Sequence, residues 1–263
     1  MTHPNRVTRA GQRLLSLAFL FVASEAFTGS LVRKRPVTAL FRQPSLLRRS
    51  AELDEVGYDV GEEEEEQPDR PFGLVSALPI DQQQLSVGLI FIILFAGTFE
   101  VVTLLNGVQG LSSGFYDLWR LTFAPLLGLI FMAAGVTHFT NQKDYAAIVP
   151  PEGTWGFFTV PTPGIEEVDL SYEDYHVAWT GVAEALGGFL LVTGGLGIGF
   201  LPKELPAFAL FLLTVAITPA NVYMFTHDAK MGELPDIEYP NGHAARAALQ
   251  CALLGLLWKT AFY

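Results

Sequence analysis

From residue 85 onward the chain alternates long apolar blocks with short polar breaks. The blocks are 85–105, 123–139, 176–201, 206–225 and 244–262. Residues 118–122 can lengthen the second, and Pro219 splits the fourth. A helix needs about 20 apolar residues to cross the hydrocarbon core of a bilayer, and each block comes close to that length. None carries the polar stripe of a helix in a soluble bundle. The pattern predicts an all-α integral membrane helical bundle with five spans.

The third block is built around an acid. Residues 176–201 hold seven glycines, no Lys, Arg or Asp, and one Glu, Glu184. A carboxylate in such a segment costs roughly 2.5–3.5 kcal/mol on insertion scales, so it must face protein or water and find a partner. The glycines permit close helix approach.

Composition agrees with the pattern. Hydrophobic residues make up 50 % of the 263 and mean hydropathy is +0.34. Charged residues are 16 %, against about 25 % in an average globular domain. The single cysteine, Cys251, excludes an intrachain disulfide, a Cys-x-x-Cys redox site, a zinc ribbon and a cysteine-held Fe–S cluster. The net charge of −11 is unevenly spread: residues 1–50 hold nine of the 16 Arg/Lys and one of the 27 acids. The acidic remainder makes nucleic acid an unsuitable partner.

The N-terminal third reads as address and spacer. Arg6, Arg9 and Arg13 precede the apolar run 14–23, then Ser24-Glu25-Ala26 offers small residues at −3 and −1 of a cut after Ala26. That is signal-peptide layout; a first membrane helix is the alternative, with a run too short for it. Residues 27–50 are basic, Ser/Thr-bearing and free of acids, as in a transit peptide. The two parts, with Phe27 at the new N-terminus, resemble the bipartite presequence of plastid proteins in algae with secondary, red-lineage plastids. Secretion followed by a basic tail is the alternative. Residues 51–84, with Glu62 to Glu66 in a row, read as an acidic disordered spacer rather than a calcium loop.

With the spacer on side A, the acidic loops 140–175 and 227–243 also fall on side A. Arg120, Lys203 and Lys259 fall on side B. The positive bias makes side B the stroma or cytoplasm. Trp119 and Trp258 near side B and Trp179 near side A fit interfacial belts.

This topology gathers polar membrane residues near side A. His138 ends the second span. His176, Thr180 and Glu184 share a face at i, i+4 and i+8, with Glu184 roughly 12 Å deep at about 1.5 Å per residue. Asn221 closes the fourth span beside Tyr223. Arg246 and Gln250 open the last, one turn apart. An Arg246–Glu184 ion pair, offsetting the cost of both charges, is expected, with His138 and Asn221 in the same cavity. A structural polar plug is the competing reading. No His pair has i, i+3 or i, i+4 spacing, so no metal site is assigned.

Motifs in this order resemble the DoxX-like family of small polytopic membrane proteins. Ala134-Gly135-Val136-Thr137-His138-Phe139 matches its Ala-Gly-x-x-His-Phe, and Ile148-Val149-Pro150-Pro151 its Ile-Val-Pro-Pro. Thr180-Gly181-Val182-Ala183-Glu184 with Gly187-Gly188 matches Ser-Gly-Val-Ala-Glu-x-x-Gly-Gly, with Thr180 in the Ser place. Pro219-Ala220-Asn221-Val222-Tyr223-Met224 and Arg246 with Gln250 match Pro-Ala-Asn-x-Tyr-Met and Arg-x-x-x-Gln. The resemblance implies a four-helix DoxX-like core over 118–263, plus one extra N-terminal transmembrane helix at 85–105. The family name derives from a quinol oxidase or thiosulfate:quinone oxidoreductase subunit. A related four-helix membrane fold serves sterol isomerases, where carboxylates flank a lipid pocket.

The functional expectation is a plastid membrane protein, of thylakoid or envelope. It binds a hydrophobic small molecule, a quinone or isoprenoid, among membrane lipid. Glu184 and His138 are the candidate catalytic groups for proton transfer or redox chemistry. Arg246, Asn221, Gln250, Thr180 and Tyr223 are the candidate pocket. The alternative is a non-enzymatic subunit or assembly factor of a larger membrane protein complex, docked through the first helix and the acidic loops.

Overall fold

The computed structural model describes residues 74–232 and 237–263. The expected signal peptide (1–26), transit segment (27–50) and most of the 51–84 spacer lie outside the described residues. Within them the chain is helical, with no strand. The elements are α1 (Ile80–Leu111), α2 (Ser113–Thr140), α3 (Gln142–Ala146), α4 (Ile165–Val168), α5 (Tyr172–Gly195), α6 (Glu204–Ala216), α7 (Thr218–His227) and α8 (Asn241–Phe262). The end of the spacer is structured. Leu74 is buried, and Gln83 Nε2 donates to the carbonyls of Ser76 (3.1 Å) and Leu78 (2.8 Å), tying the turn at Val75–Ala77 to α1.

Four segments are long and apolar enough to cross a membrane: Ile80–Gly110, Asp117–Thr140, Tyr172–Gly195, and Glu204–His227, which joins α6 and α7. The expected fifth, α8, is not among them. Its 22 residues include Arg246, Gln250 and Lys259, which dilute its apolar content. It is enclosed by its neighbours, with Gln250, Leu254, Leu257, Trp258 and Lys259 all buried.

Local chemistry sets the helix ends. Ser171 caps α5 by accepting from the Asp174 N–H (3.0 Å), and Glu173 and Asp174 sit in the first turn, where acids complement the helix dipole. The third span was expected to run 176–201. It begins earlier and stops at Gly194-Gly195, because Gly197 adopts φ +71° and turns the chain. Ile217 separates α6 from α7, two residues ahead of Pro219, whose ring cannot continue the helix ladder.

Close pairs define the topology. Helices α2 and α5 are antiparallel and in the tightest contact. A Cβ at Gly135 would lie 2.5 Å from the Ala185 nitrogen, and one at Gly188 would lie 2.5 Å from the Gly128 carbonyl oxygen. Only glycine lets these backbones meet. Helix α8 lies antiparallel to α6–α7, and α1 runs parallel to α8. There Cys251 nests at Gly97 and Lys259 Nζ donates to Asn106 Oδ1 (2.7 Å) and Gln109 Oε1 (3.3 Å).

The apolar core fills the side B half. Leu127, Phe131, Leu191, Leu210, Phe211, Leu254, Leu257 and Trp258 form one cluster, with Phe211 and Trp258 ring centroids 5.2 Å apart. Trp258 is 1 % exposed, so it is a core residue and not the interfacial belt expected of it. Outward surfaces are apolar instead, as at Leu85, Ile92, Ile93, Leu126 and Leu186. Glu184, His138, His176 and Gln250 are buried, which inverts the polarity of a soluble bundle.

Candidate functional site

A cavity of about 270 Å³ opens in the side A half, bounded by α2, α3, α5, the α6–α7 junction, α8 and the loop after α3. Its walls are largely apolar, including Ile148, Val149, Pro150, Phe158, Val160, Val177, Ile217 and Pro219. His138, His176, Thr180, Glu184, Asn221 and Arg246 also border it.

The loop that covers it comes from the segment expected to be an acidic connection. Tyr145 on α3 stacks on His138 (centroids 3.9 Å) and shares a 2.7 Å hydrogen bond between its hydroxyl and Thr137 Oγ1. Trp155, 2 % exposed, donates from Nε1 to Thr226 Oγ1 (3.1 Å), and its carbonyl accepts from Gln84 Nε2 (3.2 Å). The loop is thus pinned to both α7 and α1. Trp155 keeps φ at +55°, a left-handed conformation that a bulky residue adopts only when its surroundings hold it.

The polar residues divide into two sets. In the first, Arg246 Nη2 donates to Asn221 Oδ1, Asn221 Nδ2 to Gln250 Oε1 (2.9 Å), Gln250 Nε2 to Thr218 Oγ1 (2.6 Å), and Thr218 Oγ1 to the Thr214 carbonyl (2.9 Å). This chain satisfies its members and locks α7 to α8, which is what a polar plug does. Gln250 stands behind Asn221 and does not border the cavity. The expected Arg246–Glu184 ion pair is not formed: neutral Asn221 takes the guanidinium, and no carboxylate among the described residues lies within 4.0 Å of it.

In the second set, polar atoms are left open. Glu184 is 4 % exposed and its Oε2 has no hydrogen-bond partner. His138 Nδ1 lies 3.6 Å away, beyond hydrogen-bond range, and is engaged by the Ala134 carbonyl at 2.9 Å. His176 is 7 % exposed, and its Nε2 is likewise unpartnered. The Tyr172 hydroxyl is near the Val160 backbone without closing a hydrogen bond. Thr180 borders the cavity, but its hydroxyl is spent on the His176 carbonyl (2.6 Å).

Tyr223, expected in the pocket, lies elsewhere. It faces His227 (centroids 4.5 Å) and Trp155 (6.4 Å), on the far side of α7. His227 belongs to that aromatic cluster, and His243 packs against Phe225 and Tyr239; neither borders the cavity. Among the described residues no three His, Cys, Asp or Glu side chains gather as a metal-holding group. Tyr145, Tyr172 and the Trp155 loop were not anticipated. A four-residue period Tyr172-His176-Thr180-Glu184 marks one face of α5 and carried the signal for two of the open groups.

A family model described as a domain of unknown function (DUF8561) matches residues 127–261, from within α2 to the end of α8. No curated protein and no solved structure matches the chain.

Proposed function

We propose, for a chain that belongs to the DUF8561 family, that the side A cavity binds an amphipathic small molecule inside a membrane. The molecule is of the quinone or isoprenoid class, and Glu184 handles a proton at its polar end. One observation carries this reading: a carboxyl more than nine-tenths buried, with an unpartnered oxygen, borders a cavity whose other walls are mostly apolar. Leaving such a group open costs folding free energy, which is expected where function requires it. A neighbouring plug of bonded side chains holds the cavity walls in register without occupying Glu184.

The DoxX-like motifs fall on α2, α5, α7 and α8 and, for Ile148 to Pro151, in the loop after α3, and they supply residues on both sides of the cavity. They support the same four-helix reading, with α1 as the addition. Residues 1–50 support delivery to a plastid membrane. Cleaved fusions of that segment, imaged in a red-lineage alga, test the delivery.

Purification in a mild detergent followed by mass spectrometry of the lipid extract tests the function. The expected result is a co-purified quinone or isoprenoid in the wild type, lost in Glu184→Gln at equal protein yield. An empty wild type held in a stoichiometric complex with another protein would overturn the ligand reading. That result would favour a non-enzymatic subunit.

A further inference from the structure

The open groups on α5 differ in hydrogen-bond sense, and geometry fixes the difference. Trp179 Nε1 donates to His176 Nδ1 at 2.9 Å. Indole N–H is a donor only, so His176 Nδ1 must accept and cannot carry a proton. The neutral ring then carries its proton on Nε2, the atom left without a partner. Glu184 Oε2, two turns further along the same helix face, is an open acceptor. Thr180 lies between them with its hydroxyl turned back to the His176 carbonyl, so it does not compete.

We propose that His176 is a ligand-binding residue that donates Nε2–H to a carbonyl or ether oxygen of the bound molecule. Trp179 is the positioning residue that sets its tautomer. The assignment rests on the cavity reading above and narrows it to the hydroxyl-bearing members of that class, a quinol or a hydroxylated isoprenoid, since an oxidised quinone offers acceptors only. The ligand carries an oxygen acceptor toward the loop end and a hydroxyl or N–H donor toward Glu184, with its apolar body against the loop wall. A molecule offering only acceptors, or only a donor, leaves one of the two buried groups unsatisfied. An unsatisfied buried group is the usual reason a site rejects an analogue.

Isothermal titration of the full chain in phosphatidylcholine nanodiscs tests this, with empty discs subtracted. The probes are an octyl 4-hydroxybenzoate, its 4-methoxy counterpart lacking the donor, and 4-octylphenol lacking the carbonyl. His176→Phe is expected to weaken the hydroxybenzoate about tenfold, the worth of one buried hydrogen bond, and to change octylphenol less than about twofold. His176→Gln, which keeps an N–H donor, restores most of the loss. In nitrogen-15 NMR the wild-type ring reads as the Nε2–H tautomer, and Trp179→Phe shifts it toward a mixture. Equal weakening of all three probes by His176→Phe, or no weakening of any, overturns the assignment while leaving the cavity reading intact. Failure of every probe to bind the wild type overturns both.

Discussion

Glu184 Oε2 stops 3.6 Å from His138 Nδ1, and that nitrogen is already held by the Ala134 carbonyl at 2.9 Å. The carboxyl therefore makes no bond that the fold depends on. Replacing it with Gln is expected to change stability by less than about 1 kcal/mol, in either direction, because no native hydrogen bond is lost. Ligand occupancy should fall at least about tenfold in the same variant. Thermal unfolding in detergent, paired with lipid-extract analysis, checks both. A loss of several kcal/mol would make Glu184 a structural group.

Asn221 bridges Arg246 and Gln250, so its removal takes the acceptor from the guanidinium and the donor from Gln250 Oε1, while Gln250 Nε2 keeps Thr218. Asn221→Ala is expected to destabilise the fold by about 2 kcal/mol, since a guanidinium and an amide lose buried partners. A double-mutant cycle with Gln250→Ala should give a coupling of roughly 0.6–1.7 kcal/mol, the range seen for interhelical hydrogen bonds in membrane bundles. Additive losses would mean that the two side chains act independently.

The helices were legible because hydropathy is a local property, and the break in the fourth block because Pro219 acts on the backbone nearby. The end of the third was not: the block stays apolar to Leu201, while the helix stops at Gly195 ahead of the left-handed Gly197. Nor was partner choice. Arg246 shares a helix face with Gln250, which does not reveal that Asn221 and Thr218 on α7 meet that face first. Trp258 near the end of an apolar block looks interfacial until Phe211 and Phe262 are seen packed on it. The cap over the cavity was hidden for a related reason. Trp155 sits among acidic and turn-forming residues, and only its bonds to Thr226 and Gln84, each 71 positions away, turn that loop into a lid. The open groups on α5 were half visible, since the four-residue spacing aligned them but gave no sign of which stay unpaired.

Backbone contact between α2 and α5 makes glycine irreplaceable at specific points. A Cβ on Gly135 would sit 2.5 Å from the Ala185 nitrogen and 2.6 Å from the Gly181 carbonyl oxygen, atoms that cannot turn aside. Gly135→Ala is expected to cost about 2 kcal/mol, as overpacked sites do. Gly88→Ala on α1 meets nothing within 4 Å and should be neutral or stabilise by up to about 1 kcal/mol through helix propensity. Comparing the two thermal midpoints checks the contact; equal behaviour would mean that α2 and α5 are further apart than described.

Cys251 is the sole cysteine and lies buried at the α1–α8 seam, its Sγ 3.5 Å from the Leu94 carbonyl oxygen and close to Gly97. It reports whether α1 is docked. In the wild type, N-ethylmaleimide should label it only after unfolding, because the thiol is shielded by both helices. Lys259→Met removes the donor to Asn106 and Gln109 near the other end of that seam, an expected loss of about 1 kcal/mol per bond. Labelling of the folded Lys259→Met protein should then speed up several-fold, as α1 opens more often. Fast labelling of the wild type would instead mean that α1 is not held against α8, and the helix would be free to serve another partner.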